Sequence, residues 1–320
     1  MNARQKTELL RIAPGPIEFD APMTHHTTLR VGGNADVLCK AQRLDDLCRI
    51  LPWLVREEIP YLVIGRGSNL LVGDGGIRGV VILLSGALGR IEGREQGPDE
   101  SDILAGAGLS IADLLIWCRR RGLTGLEFLA GIPGTVGGAV AMNAGAFGDE
   151  IGAWVREVRF VDPQGEIQVI DRSRLTFSYR ALRLEKGVVI AQVGFRMKQA
   201  TEKRVLERIS ACLKRRKASQ PLEYSSAGSV FKNPANDYAG RLIEEAGLKG
   251  KRIGGAMISD KHANFIINTG GATAADILSL IHTAKEAVSR TSGIELKMEV
   301  RVVGDPAGAD VAQRPDAVSH

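Results

Sequence analysis

Two glycine clusters are the parts of this 320-residue chain whose composition and spacing most directly imply chemistry. The first, GRGSNLLVGDGG at 65–76, follows directly on the apolar run YLVI at 61–64. A strand that runs into glycines lets backbone N–H groups approach an anion such as a pyrophosphate, because no Cβ stands in the way. The dinucleotide fingerprint GxGxxG fails here, since Leu70 occupies the place of its third glycine. No GxxxxGK followed by Ser or Thr occurs anywhere, which excludes a Walker-type ATPase. On the motif alone, a tight turn and an anion cradle are equally good readings.

The second cluster is LAGIPGTVGGAVAMNAGA at 129–146, and nine of the chain's 38 glycines fall between positions 122 and 152. Glycine is entropically expensive to order, so this density with almost no charge suggests backbone laid against a large flat ligand. A flexible loop would carry Ser, Asp and Lys rather than Ile, Val, Met and Phe. Residues 128–148 hold no charge and are long enough to span a bilayer. Six glycines, Pro133 and Asn143 leave backbone that lipid would not satisfy, so a membrane span is rejected. The five histidines form no HExxH, although His262 in a Lys-His-Ala-Asn turn is placed to touch a ligand. Cys39, Cys48, Cys118 and Cys212 lie far apart with no CxxC and read as reduced, buried and structural. No metal site is expected.

The elements that must position these segments are mixed strands and helices. YLVI (61–64), VVILL (80–84), DILAGA (102–107) and VVIAQV (188–193) read as buried strands. Ser110 with Asp113 resembles a capping box that opens a helix ended by Gly122. Thr273 with Asp276 opens another that runs to about Arg290 and closes at Gly293. A charged helix at about 202–217 connects into a C-terminal region. Hydrophobic residues at 44% and charged residues at 25% exclude a disordered or fibrous chain. A net charge of +5 is a small excess that suits an anionic ligand better than a nucleic-acid groove and specifies neither. The N-terminus has no secretory pattern, so a cytoplasmic protein is expected.

These segments together resemble the UDP-N-acetylenolpyruvoylglucosamine reductase (MurB) family of flavin enzymes. The resemblance runs from about position 28 to 304 through TLRVGGNAD (28–36), GRGSNLLVGDGG (65–76), AGIPGTVGGAVAMNAGAFG (130–148), SYR (178–180), AGSVFKNP (227–234), AGLKGKRIGGA (246–256), KHANFIIN (261–268) and EVR (299–301). It implies an α+β fold: an FAD-binding fold of the vanillyl-alcohol oxidase/para-cresol methylhydroxylase class plus a C-terminal α+β substrate-binding domain. The expected parts are 1–88, completed by a C-terminal strand at about 294–304; 89–204; a substrate-binding part at 205–293; and a disordered tail at 305–320.

The implied reaction is reduction of UDP-N-acetylglucosamine enolpyruvate to UDP-N-acetylmuramate with FAD as cofactor and NADPH as co-substrate. Hydride goes to C3 and a proton to C2. By the same resemblance Gly65, Arg66, Gly67, Ser68 and Asn69 lie near the FAD pyrophosphate, Gly131, Ile132, Pro133, Gly134, Gly137, Gly138, Ala139 and Asn143 line the flavin, and Arg30, Leu70 and Val136 are further cofactor-binding positions. Ser229 matches the proton donor, Arg180 the arginine that holds the substrate carboxylate, and Glu299 the third catalytic position. Glu299 either orients Arg180 or, if protonated, donates to the enol. Taken alone, Ser229 reads as a turn serine, Tyr179-Arg180 as a surface pair and 299–301 as an alternating strand.

Lys217, Lys232, Asn233 and Tyr179 are the expected substrate contacts, with Lys214, Arg215 and Arg216 able to share the role of Lys217. The chain lacks the tyrosine-bearing insertion that many members carry after SYR, so it resembles the shorter subtype. It also has Thr27 where relatives commonly have Asn and Ser225 where Pro is frequent. A monomer or weak oligomer is expected, with no nucleic-acid or membrane partner. The rivals are a flavin-dependent sugar or alcohol oxidase of the same fold and a non-catalytic nucleotide-sugar binder. AGSVFKNP and EVR argue against the first. Retention of Ser229, Arg180 and Glu299 argues against the second.

Overall fold

A computed structural model describes residues 1–96 and 99–307 of the chain. Near the N-terminus, four strands form a sheet in the order Ile17–Pro22, Asn34–Ala41, Ile77–Leu84, Tyr61–Ile64. The first pair is antiparallel and the other two are parallel. The helix Leu44–Arg56 buries Leu47, Ile50, Leu51 and Leu54, spaced as one apolar face requires. Its N-terminus is fixed by the buried Asp46 carboxylate, which accepts from the N–H groups of Gln42 and Arg43.

The second unit is an antiparallel sheet in the order Ile167–Asp171, Val155–Val161, Val189–Gln199, Glu100–Gly106, Ile91–Gln96. The helices Ile111–Arg120 and Val136–Ala141 share its hydrophobic core. Ser110 caps the first by accepting from the Asp113 N–H. It also donates its hydroxyl to the Asp113 carboxylate, which takes the place of the reciprocal capping-box bond. Gly122, with φ +62°, follows that helix, and Gly293, with φ +69°, ends the helix Ala274–Ser292 in the left-handed conformation.

The long helix Glu202–Ser219 leads into the third unit. Its antiparallel sheet has the order Ser225–Ser229, Phe265–Asn268, Ala256–Ile258, Arg252–Ile253 and is packed against Ala239–Glu245 and Ala274–Ser292. Leu29, Val31 and Leu71 from the first unit lie in the same core as Phe231, Ile258 and Leu280 of the third. The two units are also stitched by hydrogen bonds. Thr28 Oγ1 donates to the Ser226 carbonyl at 2.7 Å, and Asn268 Nδ2 donates to the Leu29 carbonyl at 3.1 Å.

The C-terminal segment differs from expectation. Only Arg301–Val303 pairs, in parallel, with Leu70–Val72 of the first unit. Residues before it turn to the third unit, where Lys232 N–H donates to Lys297 O and Glu299 N–H to Val230 O, because Leu296 and Val300 bury in that core. Asp305, placed by sequence in the tail, is hydrogen-bonded to Gly76. The rest of that tail, 308–320, lies outside the described residues. Among the described residues no helix is long and apolar enough to cross a membrane.

Asp74, within the first glycine cluster, supplies a cap that local sequence did not reveal. Its carboxylate accepts from the N–H groups of Ala274 and Ala275, while Thr273 accepts from Asp276, so a distant loop anchors this 19-residue helix. Asp74→Ala is therefore expected to cost about 1–2 kcal/mol. The check is a fall of a few degrees in the calorimetric unfolding temperature.

Candidate active site

Arg180 sits at the tip of a two-residue hairpin between Phe177–Ser178 and Ala181–Leu182. Its φ is +60°, a left-handed conformation for which glycine is the ordinary choice, so the site holds local backbone strain. Asn143 holds this hairpin in place. Only 1% exposed, it donates through Nδ2 to the Ser178 carbonyl at 3.0 Å and to Glu150 at 2.7 Å, and its Oδ1 accepts the Gly152 N–H. Gly145 leaves room for the guanidinium, since a Cβ there would lie 3.1 Å from Arg180 Nη1.

The Arg180 side chain reaches Glu299, with Nε 2.8 Å from Oε1. The Nε–H is not aligned for a hydrogen bond, so the contact is one of charge. Glu299 is 15% exposed, and burial pushes its carboxyl above the ordinary range, with Arg180 and Lys232 pulling the other way. Its backbone is held from two sides. Asn69 Nδ2 donates to the Glu299 carbonyl at 3.0 Å, and Glu299 N–H donates to Val230 O at 2.8 Å. Val230 is the neighbour of Ser229, so the main chain at Glu299 is bonded one residue beyond the serine. Gly228, just before the serine, has φ +74° and open space where a side chain would project.

The glycine clusters divide into two kinds of position. The N–H groups of Arg66, Gly67, Ser68 and Asn69 meet no protein acceptor among the described residues, as an anion cradle requires. Gly67 has φ +60°, and a Cβ there would strike the His26 carbonyl at 2.3 Å. In the second cluster, Gly138 is exposed and a Cβ there would meet only Thr135 Oγ1, at 3.4 Å, whereas Gly134 is buried in ordinary contact with Ile132, Ser68 and Ile111. Other positions expected at the flavin are spent on packing. Leu70 and Val136 are buried, a Cβ on Gly137 would meet Ala107 Cβ at 2.7 Å, and one on Gly131 would meet Arg216 Cδ at 2.9 Å. Asn143, expected to line the flavin, instead uses its amide inside the fold.

Tyr179, Lys232 and Asn233 line a cleft of about 390 Å³ with Glu295 and Lys297. Asn233 also accepts from the Ala239 N–H, which fixes the start of the helix Ala239–Glu245. Lys217 is exposed and does not line this cleft; its carbonyl accepts from Lys261 Nζ. Arg216 is not free to share its role, because it is buried and donates to the Ala130 and Phe128 carbonyls. Arg30 and Arg66 are exposed and make no ion pair among the described residues, which leaves both available to an anion. His262 is structural: its Nδ1 accepts from the Asn264 N–H, and burial lowers its pKa.

All four cysteines are free. Burial drives the Cys39 and Cys118 thiols up to about 12, so neither serves as a nucleophile at neutral pH. Among the described residues no cluster of His, Cys, Asp and Glu is arranged to hold a metal.

Residues 35–171 match the FAD binding domain family, and residues 220–303 match the family described as UDP-N-acetylenolpyruvoylglucosamine reductase, C-terminal domain. The chain is 47% identical to the UDP-N-acetylenolpyruvoylglucosamine reductase of Geobacter metallireducens over 95% of its length and 98% of that protein. It is 42% identical to the protein of the same name from Syntrophus aciditrophicus over 94% of its length and 96% of that protein. Among solved structures, UDP-N-acetylenolpyruvylglucosamine reductase from Thermus caldophilus superposes with a TM-score of 0.76 at 37% identity, covering 90% of this chain and 98% of the other.

The role of Asn143 is testable without any ligand. Asn143→Ala leaves the Ser178 carbonyl and the Gly152 N–H unpaired in a buried region and is expected to cost about 1–3 kcal/mol. Denaturant unfolding should show a lowered midpoint with an unchanged slope.

Proposed function

The chain belongs to the UDP-N-acetylenolpyruvoylglucosamine reductase family, and we propose that it carries out FAD-dependent reduction of UDP-N-acetylglucosamine enolpyruvate through Ser229, Arg180 and Glu299. NADPH is the proposed electron donor, UDP-N-acetylmuramate the product, and the cytoplasm the proposed setting. The observation that carries the residue-level reading is the meeting of three segments distant in sequence: Arg180 against Glu299, with the Glu299 main chain bonded to Val230, one residue beyond Ser229. The N–H groups of 66–69 and the exposed backbone at Gly138 fit a dinucleotide with a flat ring system.

Bound FAD, once reduced, supplies the hydride that adds to C3 of the enolpyruvyl group. The task left to the protein is to hold the negative charge that then spreads over C2 and its carboxylate, and to protonate C2. Arg180 offers a guanidinium fork for the carboxylate. The contact at 2.8 Å supports the orienting role for Glu299, which keeps Arg180 aimed while its own partial burial limits competition from water. Ser229 gives its proton to C2; a hydroxyl is a weak acid, but the enolic dianion is a strong base. Lys232, beside Glu299, and Tyr179 place the remainder of the substrate in the cleft they line.

The test is anaerobic addition of NADPH to the yellow protein, followed by the enolpyruvyl substrate. Bleaching and then recovery of the flavin spectrum are expected. Recovery only with oxygen would favour the oxidase, and a protein that does not take up FAD would overturn the reading. Ser229→Ala should leave flavin reduction by NADPH near normal and slow substrate-driven reoxidation by roughly 10²- to 10⁴-fold. Equal loss in both steps would remove Ser229 from its role.

The pH profile tests Glu299. If the ionised carboxylate holds Arg180, reoxidation is lost as pH falls through the Glu299 pKa. Because burial raises that pKa, the loss begins at higher pH than for an exposed glutamate. Glu299→Gln should lower the rate and abolish that limb.

A further inference from the structure

Asn264 lies outside the groups that face the reactants, yet it is the side chain most completely committed to the backbone that carries Ser229. It is 3% exposed. Its Oδ1 accepts the Phe231 N–H at 2.9 Å and its Nδ2 donates to the Phe231 carbonyl at 2.8 Å, while its own carbonyl accepts the Val230 N–H at 2.8 Å. The side-chain amide thus copies the paired bonds of a peptide group in a sheet, just where regular pairing of Ser225–Ser229 with Phe265–Asn268 ends at Ser229 and Phe265.

Val230 itself is bonded on both sides through main chain, its N–H to the Asn264 carbonyl and its carbonyl to Glu299 N–H and, at 3.3 Å, Val300 N–H, while the Asn264 side chain holds the next residue, Phe231. We propose that Asn264 is a positioning residue for proton delivery: it fixes Ser229 in register with Glu299 across Val230 without touching substrate or cofactor. An amide suits this role because it donates and accepts at once and adds no charge near the Arg180–Glu299 pair. Aspartate would keep the acceptor but oppose its charge to the Phe231 carbonyl unless it were protonated. Leucine or alanine would offer neither bond. The titratable neighbour is His262, whose Nδ1 accepts the Asn264 N–H.

This inference rests on the two-step reaction proposed above, so each variant is measured beside the wild type in both steps. Asn264→Ala is expected to leave flavin reduction by NADPH near the wild-type rate and to slow reoxidation by the enolpyruvyl substrate by roughly 10- to 100-fold, the scale of a misplaced reacting group. Asn264→Asp should show a similar defect at high pH. Its rate relative to the wild type should recover as pH falls and the new carboxyl gains the proton that can be donated to Phe231 O. His262, which also faces Lys249 and Glu244, is titrated separately in both proteins by NMR so that its contribution can be subtracted.

Equal losses in both steps, or an unchanged reoxidation rate, would overturn the proposal. If Asn264→Ala fails to fold or to hold FAD, Asn264→Asp decides: a rate that parallels the wild type across pH overturns it, and a selective recovery at low pH upholds it. A wild type that is not reoxidised by the substrate would refute the reaction itself, which is a separate result.

Discussion

A carboxylate and a guanidinium in close contact, both largely withdrawn from water, place a severe constraint on this fold. Neither Arg180 nor Glu299 is fully solvated, and a desolvated pair contributes little or nothing net unless its geometry is good. Their close approach, at 2.8 Å, is therefore a demand on the surrounding backbone. The chain meets it at the junction of its three units. Arg301–Val303 pairs with Leu70–Val72, Asn69 holds the Glu299 carbonyl, and Val230 receives the Glu299 N–H. The loop that offers free N–H groups to an anion, the segment before Arg301–Val303 that carries the carboxylate and the end of the strand that carries the serine thus share one set of hydrogen bonds.

Neutral amides recur in this arrangement. Asn69 reaches the backbone of Glu299, Asn143 the hairpin of Arg180, and Asn264 the turn after Ser229. Each can satisfy a donor and an acceptor while leaving the local charge balance to the arginine and the glutamate. A Lys or Asp at these positions would add a charge close to Glu299, whose carboxyl burial already raises. The left-handed conformation at Arg180 is a further local cost, and it persists because the Asn143 bonds and the short hairpin leave the chain little alternative.

The units are also locked together away from the site. Leu29, Val31 and Leu71 complete the core of the third unit, Asp74 caps its longest helix, and Arg216 fastens the helix Glu202–Ser219 to the carbonyls of Phe128 and Ala130. Long loops that carry polar backbone are thereby paired rather than left unsatisfied in the interior. The same contacts explain why several glycines sit where they do. Gly67 and Gly131 are small because another segment lies against them, whereas Gly138 stays exposed.

Much of this was legible in the residues themselves. The strand Tyr61–Ile64, the helices opened by Ser110 and Thr273, and the glycine that ends the second at Gly293 follow from local periodicity, capping and φ preferences. The ordered motifs identified Ser229, Arg180 and Glu299 and the family reaction they imply. Sequence did not reveal that Asn143 serves the hairpin, that Arg216 is buried, that Asp74 is a helix cap, or that residues just before Arg301 join the third unit. Those assignments depend on hydrogen bonds such as Asn69 to Glu299 and Asp74 to Ala274, formed between positions 230 and 200 residues apart. Local propensity and spacing act over a few turns of chain. Which distant carbonyl an amide meets is settled only when the hydrophobic faces of all three units have packed.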